Sequence, residues 1–141
     1  MIETAIDQAV EGLLRGDQVL ATAMGGRARL YPLSAPAEAG FPHIIFGENQ
    51  ILDWGDDCQK GYEIYVTLRV WCRDDANGPT ATMAQAKLLS GLVRELLNTS
   101  IAVPGHRVVD HRLETNRPMP DADGLSVLGL VEVRYWVEVS A

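Results

Sequence analysis

Hydrophobic and polar residues alternate along Tyr62–Arg73, the most regular pattern in the chain. The apolar positions are Tyr62, Ile64, Val66, Leu68, Val70 and Cys72, and the polar, charged or amphipathic positions between them are Glu63, Tyr65, Thr67, Arg69, Trp71 and Arg73. A period of two, rich in β-branched and aromatic residues, predicts a β-strand with one buried face. At about 3.3 Å per residue this strand would be about 40 Å long, twice the usual length, so we expect it to reach beyond its own core.

Three segments have the spacing of helices. Apolar residues three and four apart predict an amphipathic helix over residues 2–15. Asp17 is placed to cap a second, short helix over residues 18–24. A third helix over residues 81–97, with Thr80 as its N-cap, has the best-defined apolar side. This helix spans roughly 25 Å at 1.5 Å per residue, so it is too short to cover the long strand.

The remaining segments complete an α+β pattern. In chain order we predict strands over residues 27–32 and 43–46, a connector or hairpin arm over 47–61, a strand over 105–113, a loop over 114–124 and a second long strand over 127–139. The fold predicted is a single domain over residues 1–141 with one antiparallel or mixed sheet of about five strands, two of them long. The N-terminal helix and the helix at about 81–97 would pack on this sheet.

Neither long strand has a purely polar second face. The large residues that point away from the regular apolar face are Tyr65, Trp71, Leu128, Leu130 and Trp136. One interpretation is that the N-terminal helix covers this second face within the subunit. The other is that a neighbouring subunit covers it, since exposed aromatic patches mark interfaces. The overhang of the long strands favours the neighbouring subunit.

Trp54 stands in a polar stretch between Asp53 and Gly55, where a lone tryptophan is costly to expose. It either folds back onto its own domain or anchors an interface. The two alternatives are equally compatible with the sequence.

Composition and charge narrow the class of protein. The chain has 141 residues, 47% of them hydrophobic and 22% charged, which is typical of a globular domain with its own core. No apolar run approaches the roughly 20 residues of a membrane helix, and the first residues are acidic where a signal peptide is basic. We therefore expect a soluble intracellular protein. A net charge of −7 argues against tight nucleic-acid binding through phosphate contacts, but it does not exclude a protein that lets DNA slide past.

The candidate metal ligands do not form a recognisable motif. Cys58 and Cys72 are too far apart for a zinc motif, and Cys72 falls on the apolar face of a predicted strand. The odd step between His106 and His111 would place them on opposite faces of a strand. We predict no metal site and no cofactor.

Calcium binding and catalysis find no support either. An EF-hand built on Asp121–Gly124 would need acidic residues where Met119 and Leu130 stand. Neither a Gly-x-Ser-x-Gly nor a phosphate-binding glycine loop occurs in the sequence. The carboxylates of residues 53–57 lack the apolar surroundings that a catalytic carboxylate needs. The chain is not predicted to be an enzyme.

Several ordered segments resemble the bacteriophage tail-completion, or tail-terminator, family, which also occurs in prophages and gene-transfer particles. They are GGR-x-R-LYP (Gly25–Pro32), Ala35–Pro36, FPHIIFG (Phe41–Gly47), the DWG triplet (Asp53, Trp54, Gly55), GYEIYVTLRVWCR (Gly61–Arg73), GHRVVDHR (Gly105–Arg112) and the closing DG…VEVRYWVEV strand. Together they cover almost the entire chain in the expected order. No segment is a catalytic signature.

The resemblance implies a structural subunit that assembles as a ring, commonly a hexamer, on the head-proximal end of the tail tube. Its partners would be further copies, the tail tube protein and the head–tail connector, with DNA passing through unbound and no membrane involved. It would assemble in the bacterial cytoplasm and then remain in the virion tail. The candidates for subunit or tail contacts are Trp54, Tyr65, Trp71, Leu128, Leu130 and Trp136, and those for the lumen are Asp53, Asp56, Asp57, Asp121 and Asp123.

Two other functions remain open from the sequence. One is a head–tail connector or minor tail protein. The other is a small cytosolic enzyme or ligand-binding domain that uses the loop Asp53–Cys58 together with His106.

Overall fold

The computed structural model describes residues 1–140. Its helices are α1 (Ile2–Arg15), α2 (Gln18–Ala23) and α3 (Pro79–Leu97). The predicted cap of α2 is confirmed, because the Asp17 carboxylate accepts a hydrogen bond of 2.9 Å from the backbone N–H of Leu20. The predicted cap of α3 is wrong. Thr80 lies inside the helix, which begins after Gly78 with Pro79 in its first turn, a position that suits a residue without an N–H.

Five strands form one sheet. They are β1 (Leu30–Pro32), β2 (His43–Gly55), β3 (Lys60–Arg73), β4 (His106–Pro120) and β5 (Ser126–Val139), in the spatial order β1-β2-β3-β5-β4. β1 pairs parallel with β2, and every other pairing is antiparallel. The predicted α+β fold with a mixed five-stranded sheet is confirmed, including the two long strands β3 and β5.

β2 is much longer than the predicted strand over residues 43–46. It continues to Gly55, so residues 47–61 form a hairpin arm and not a connector. The register shifts between Ile45 and Glu48, where Gly47 adopts a φ of 97° that favours glycine. Beyond this bulge the backbone pairs with β3 although the side chains are mostly polar, which is why the apolar pattern did not predict the strand.

β4 also extends beyond its predicted end. Residues 114–120, expected to form a loop, pair with β5 as strand. Pro118 and Pro120 are tolerated here because β4 is the outer strand of the sheet, where a missing N–H need not break a ladder.

All three helices contribute to a core on one face of the sheet. Ile6 of α1, Leu20 of α2 and Leu89 of α3 are fully buried in one cluster with the even-numbered residues of β3 and the odd-numbered residues of β5. α3 crosses closest at Gly129, where an added Cβ would lie 2.7 Å from the Cβ of Ser90. The interpretation that the N-terminal helix covers the second face of the sheet is therefore wrong.

Candidate assembly surface

The sheet face opposite the helices, called the open face below, carries the odd-numbered side chains of β3 and the even-numbered side chains of β5. Directly paired residues of antiparallel strands project to the same side, so the register shows which side chains are neighbours. At one end Trp71 lies between His43 on β2 and Leu128 on β5, and Met119 on β4 follows Leu128. Trp71, Leu128 and Met119 form an apolar row across the sheet, and the His43 side chain continues it on β2.

Arg134 occupies the centre of the open face. Its guanidinium donates hydrogen bonds of 3.0 Å to Glu63 and 2.7 Å to Glu114. The same group lies 4.7 Å from the ring centroid of Trp136 and 5.0 Å from that of Tyr65. The Arg134, Glu63 and Glu114 side chains are only 19%, 20% and 22% exposed. One cation thus fixes two carboxylates and two aromatic rings from three strands.

Cross-strand polar contacts surround this centre. Arg69 donates two hydrogen bonds to Glu48, of 3.0 and 3.2 Å, and the Thr67 hydroxyl donates one of 2.8 Å to Glu132. An exposed ion pair such as Arg69–Glu48 contributes about 0.2–1 kcal/mol. Both contacts tie neighbouring strands together on a face that has no helical cover among residues 1–140.

The predicted contact residues lie together on the open face. Tyr65, Trp71, Leu130 and Trp136 are all half-buried there and retain accessible surface. Leu128 is only 5% exposed in the single subunit, so little of its side chain is left for a partner. Arg134 was not predicted as a site residue. Its guanidinium contacts two of the aromatic candidates, but in the sequence it is only one polar position of an alternating strand.

Trp54 lies on β2 and not in a loop. It pairs with Gly61, and an added Cβ on Gly61 would lie 2.9 Å from Cε3 of Trp54, so the ring packs over its own hairpin. The side chain is nevertheless 38% exposed, and Leu52 two residues earlier is 41% exposed. Trp54 therefore folds back onto its own hairpin, and its role as an interface anchor stays a prediction.

The five acidic candidates lie at opposite ends of the sheet. Asp53, Asp56 and Asp57 are exposed at the β2–β3 turn, whereas Asp121 and Asp123 are exposed at the β4–β5 turn. β3 spans the distance between these turns with 14 residues, which is about 45 Å at 3.3 Å per residue. They cannot form a single acidic patch within one subunit.

Two of these carboxylates also hold their turns in shape. Asp123 accepts hydrogen bonds of 2.8 Å from the Ser126 N–H, 2.7 Å from the Leu125 N–H and 2.8 Å from the Ser126 hydroxyl. These bonds lower the pKa of Asp123 to about 2. Asp56 accepts from the backbone N–H groups of Cys58 and Gln59 at 2.8 and 2.9 Å.

The candidate metal ligands are dispersed. Among residues 1–140 no group of three or more histidine, cysteine or acidic side chains is arranged to hold a metal ion. Cys58 is exposed, Cys72 is buried, and both are free thiols. Burial raises the pKa of the Cys72 thiol to about 12, so this side chain is an unreactive part of the core.

The prediction that His106 and His111 lie on opposite faces is wrong. They pair with Val139 and Tyr135, which both project to the helix face. The reason is a bulge, because the register shift between Val108 and Asp110 inserts one extra residue between the histidines. The His111 ring contacts Asn98 at 3.0 Å, and the His106 ring contacts the Pro104 carbonyl at 2.8 Å.

The loop suggested for ligand binding forms only an open depression. A depression of about 320 Å³ is lined by residues 53–57 and 60–62 at the β2–β3 turn. Its lining is mostly polar backbone and exposed side chains, without an enclosed apolar wall of the kind that holds small molecules. No helix within residues 1–140 is long and apolar enough to cross a membrane.

Comparison with known proteins gives a family match and matches to solved structures. The sequence model of the family described as Tail completion protein gp17 matches residues 8–138. A chain in the solved structure described as "Virion of native gene transfer agent (GTA) particle" is similar in fold, with a TM-score of 0.80, 22% identity and 97% of each chain covered. No curated protein sequence matches the chain.

Proposed function

The chain belongs to the tail completion protein gp17 family of structural phage-tail proteins, and from this membership we propose that it forms a ring that ends the tail tube of a phage-like particle. The ring, a hexamer in this proposal, sits on the head-proximal end of the tube, stops its polymerisation and joins the tail to the head–tail connector. It works as a structural part without catalysis or cofactor.

The observation that carries this proposal is the open face of the sheet. Tyr65, Trp71, Leu130 and Trp136 are only partly buried there, and no helix covers them within residues 1–140. A protein that acts alone would usually cover such a surface, whereas an assembly subunit leaves it for a partner. In the proposed ring this face contacts a neighbouring copy or the tail tube, with Trp54 at its margin.

Charge supports a channel for DNA. The chain carries 19 acidic and 12 basic residues, and its five candidate lumen carboxylates are exposed in the two turns. Carboxylates along a channel repel phosphates, so DNA passes without being retained. We propose that Asp53, Asp56 and Asp57 border the channel at one level and that Asp121 and Asp123 border it at another.

The fold likeness to a chain of a gene transfer agent virion agrees with a place in a particle of this kind. The proposal applies equally to a phage, a prophage or a gene-transfer particle. Subunits would assemble in the bacterial cytoplasm and remain in the completed tail.

The experiment is light scattering after size exclusion, on the protein alone and after mixing with tail tubes assembled from the tube protein of the same genome. Negative-stain images of each fraction locate the protein. Rings at one end of each tube, with no further tube growth from that end, support the proposal. A protein that stays monomeric and does not bind tubes contradicts it, and retention on heads without tails would indicate a connector instead.

A further inference from the structure

The two edges of the sheet are open over the same part of their length. On one edge β1 covers β2 only at Ile44–Phe46, so residues 48–55 have no outer partner strand among residues 1–140. On the other edge β4 is the last strand, but Pro118 and Pro120 remove hydrogen-bond donors near its end. β1 on one edge and the two prolines on the other edge thus hinder the pairing of a further strand at the same end of the sheet.

The register shows that the open parts of the edges lie at equal height. One row of paired residues runs through Glu48, Thr67, Glu132 and Thr115, and another through Trp54, Gly61, Glu138 and Arg107. Residues 48–54 on one edge therefore face outward at the same level as residues 107–115 on the other.

The strand directions permit a second copy to continue the sheet. β2, β3, β5 and β4 alternate in direction, so β2 and β4 run opposite to each other. A second copy in the same orientation would place its β2 antiparallel to this β4, as in the rest of the sheet. A ring with rotational symmetry keeps every copy in such a head-to-tail relation.

The side chains on the two open edges are complementary. Leu52 and Trp54 on β2 are 41% and 38% exposed, and Val109, the extra residue of the β4 bulge, is 44% exposed at nearly the same height. Within the facing stretches, residues 48–54 carry Glu48 and Asp53, whereas residues 107–115 carry Arg107 and Arg112 beside Asp110 and Glu114. The edge of β2 is acidic, and Arg112 on the facing edge makes no ion pair among residues 1–140, so its guanidinium is available to a carboxylate of the next copy.

We propose that the ring is closed by a seam in which residues 48–54 of one copy lie against residues 107–115 of the next. This inference rests on the proposed function and identifies the surface through which the copies meet. The partner that fits each edge is a second copy, since the complementary edge at the matching height belongs to the same chain.

The β4 edge is protected in the free subunit. Its regular pairing is interrupted by bulges next to Val108 and Leu113, and the Asp110 carboxylate accepts a hydrogen bond of 2.8 Å from the His111 N–H. Bulges and charged side chains on an outer strand discourage indiscriminate strand pairing. The seam therefore combines short stretches of backbone pairing with side-chain contacts. In this proposal the free subunits remain monomeric until they bind to a tail tube.

Disulfide trapping tests the seam. In a Cys58→Ser background, one variant carries Gln50→Cys with Arg112→Cys, and a second carries Leu52→Cys with Asp110→Cys. Each pair shares a row but is separated by three strand spacings, about 14 Å within one chain, which is too far for an internal disulfide. Single-cysteine variants and a helix-side pair, Val19→Cys with Leu88→Cys, serve as controls, because those residues are 62% and 58% exposed away from the seam.

Each variant is oxidised after mixing with tail tubes and is then run on a denaturing gel. The seam predicts a ladder of covalent oligomers up to the closed ring from at least one edge pair, and none from the helix-side pair. Rings visible on the tubes without a ladder from either edge pair would overturn the seam and leave the proposed function intact. If the Cys58→Ser protein forms no rings on tubes, the proposed function fails and the seam fails with it.

Discussion

The guanidinium of Arg134 lies 4.7 Å from the ring centroid of Trp136 while it donates to two carboxylates from other strands. This relationship joins the aromatic and the charged parts of the open face into one unit. Removing the Arg134 side chain would leave two partly buried carboxylates without their common cation. The arrangement of the open face therefore depends strongly on this one side chain.

Replacing Arg134 should therefore destabilise the subunit. We expect Arg134→Ala to lower the free energy of unfolding by clearly more than the control below, because Glu63 and Glu114 lose their common cation. Urea denaturation of the isolated protein measures this change. Arg112→Ala, an exposed arginine in the same row, is the control and should change stability by less than about 0.5 kcal/mol. Equal effects of both substitutions would show that Arg134 organises nothing.

Trp71 and Trp136 should matter more for assembly than for folding. We expect Trp71→Ala or Trp136→Ala to weaken ring formation on tail tubes at least about tenfold, since a buried anchor is worth about 1.4 kcal/mol or more. Pelleting with tubes measures assembly, and urea denaturation measures the monomer. Leu88→Ala, on the exposed side of α3, should leave ring formation unchanged. A loss of monomer stability as large as the loss of assembly would show that the tryptophans act as core residues.

A side chain at Gly129 should disturb the contact between α3 and the sheet. Its added Cβ would lie 2.7 Å from the Cβ of Ser90 and 3.1 Å from the Ala86 carbonyl oxygen, so we expect Gly129→Ala to destabilise the fold by about 1–3 kcal/mol. Thermal and urea unfolding test this value. Gly12→Ala should instead raise the free energy of unfolding. Nothing lies within 4 Å of its added Cβ, and alanine favours the helix by about 0.5–1 kcal/mol relative to glycine. An unchanged stability of Gly129→Ala would mean that α3 can move away at little cost.

Asp123 should make the stability of the β4–β5 turn depend on acid pH. Its pKa is lowered to about 2 in the folded chain by hydrogen bonds from Ser126 and Leu125, whereas an unfolded aspartate has a pKa of about 3.9. The carboxylate therefore stabilises the fold above pH about 4, and this contribution is lost as pH falls through about 2. We expect Asp123→Ala to lower the melting temperature at pH 7, with a difference from the unsubstituted protein that shrinks between pH 4 and pH 2.

Asp121→Ala is the control for this pH dependence, because the Asp121 carboxylate accepts only a long bond of 3.5 Å from the Asp123 N–H. It should change the melting temperature little at either pH. A constant difference between Asp123→Ala and the unsubstituted protein down to pH 2 would contradict the role of the ionised carboxylate.

The sequence predicted the interior of the fold better than its edges. β3 and β5 alternate because one of their faces is buried by helices, and this burial leaves a period of two in the residues. β2 beyond Gly47 and β4 beyond Leu113 lie at or near the margin of the sheet, where backbone pairing needs no apolar side chains. Because these segments contain polar residues, bulges and prolines, they were predicted from the sequence as a connector and a loop.

The open face could be predicted only in part for a different reason. The alternation along β3 and β5 predicts that Trp71 and Trp136 lie on the same face of the sheet. It does not predict whether a helix covers that face, because this depends on which side of the sheet the helices pack. The Arg134 centre joins Glu63, Glu114 and Tyr65 through pairings between strands far apart in the chain. No spacing within one segment could have revealed it.

The equal height of the two open edges has a consequence for the shape of the assembly. A one-residue slip along a seam would move every side chain of the slipped strand to the wrong face, and β1 and Pro118 limit sliding at one end. In the proposed ring, with strands that run along its axis, copies that meet at equal height are related by rotation alone, without a step along the axis. A ring of this geometry closes flat and offers no step on which another subunit could continue a spiral, as we expect of a subunit proposed to end a tube.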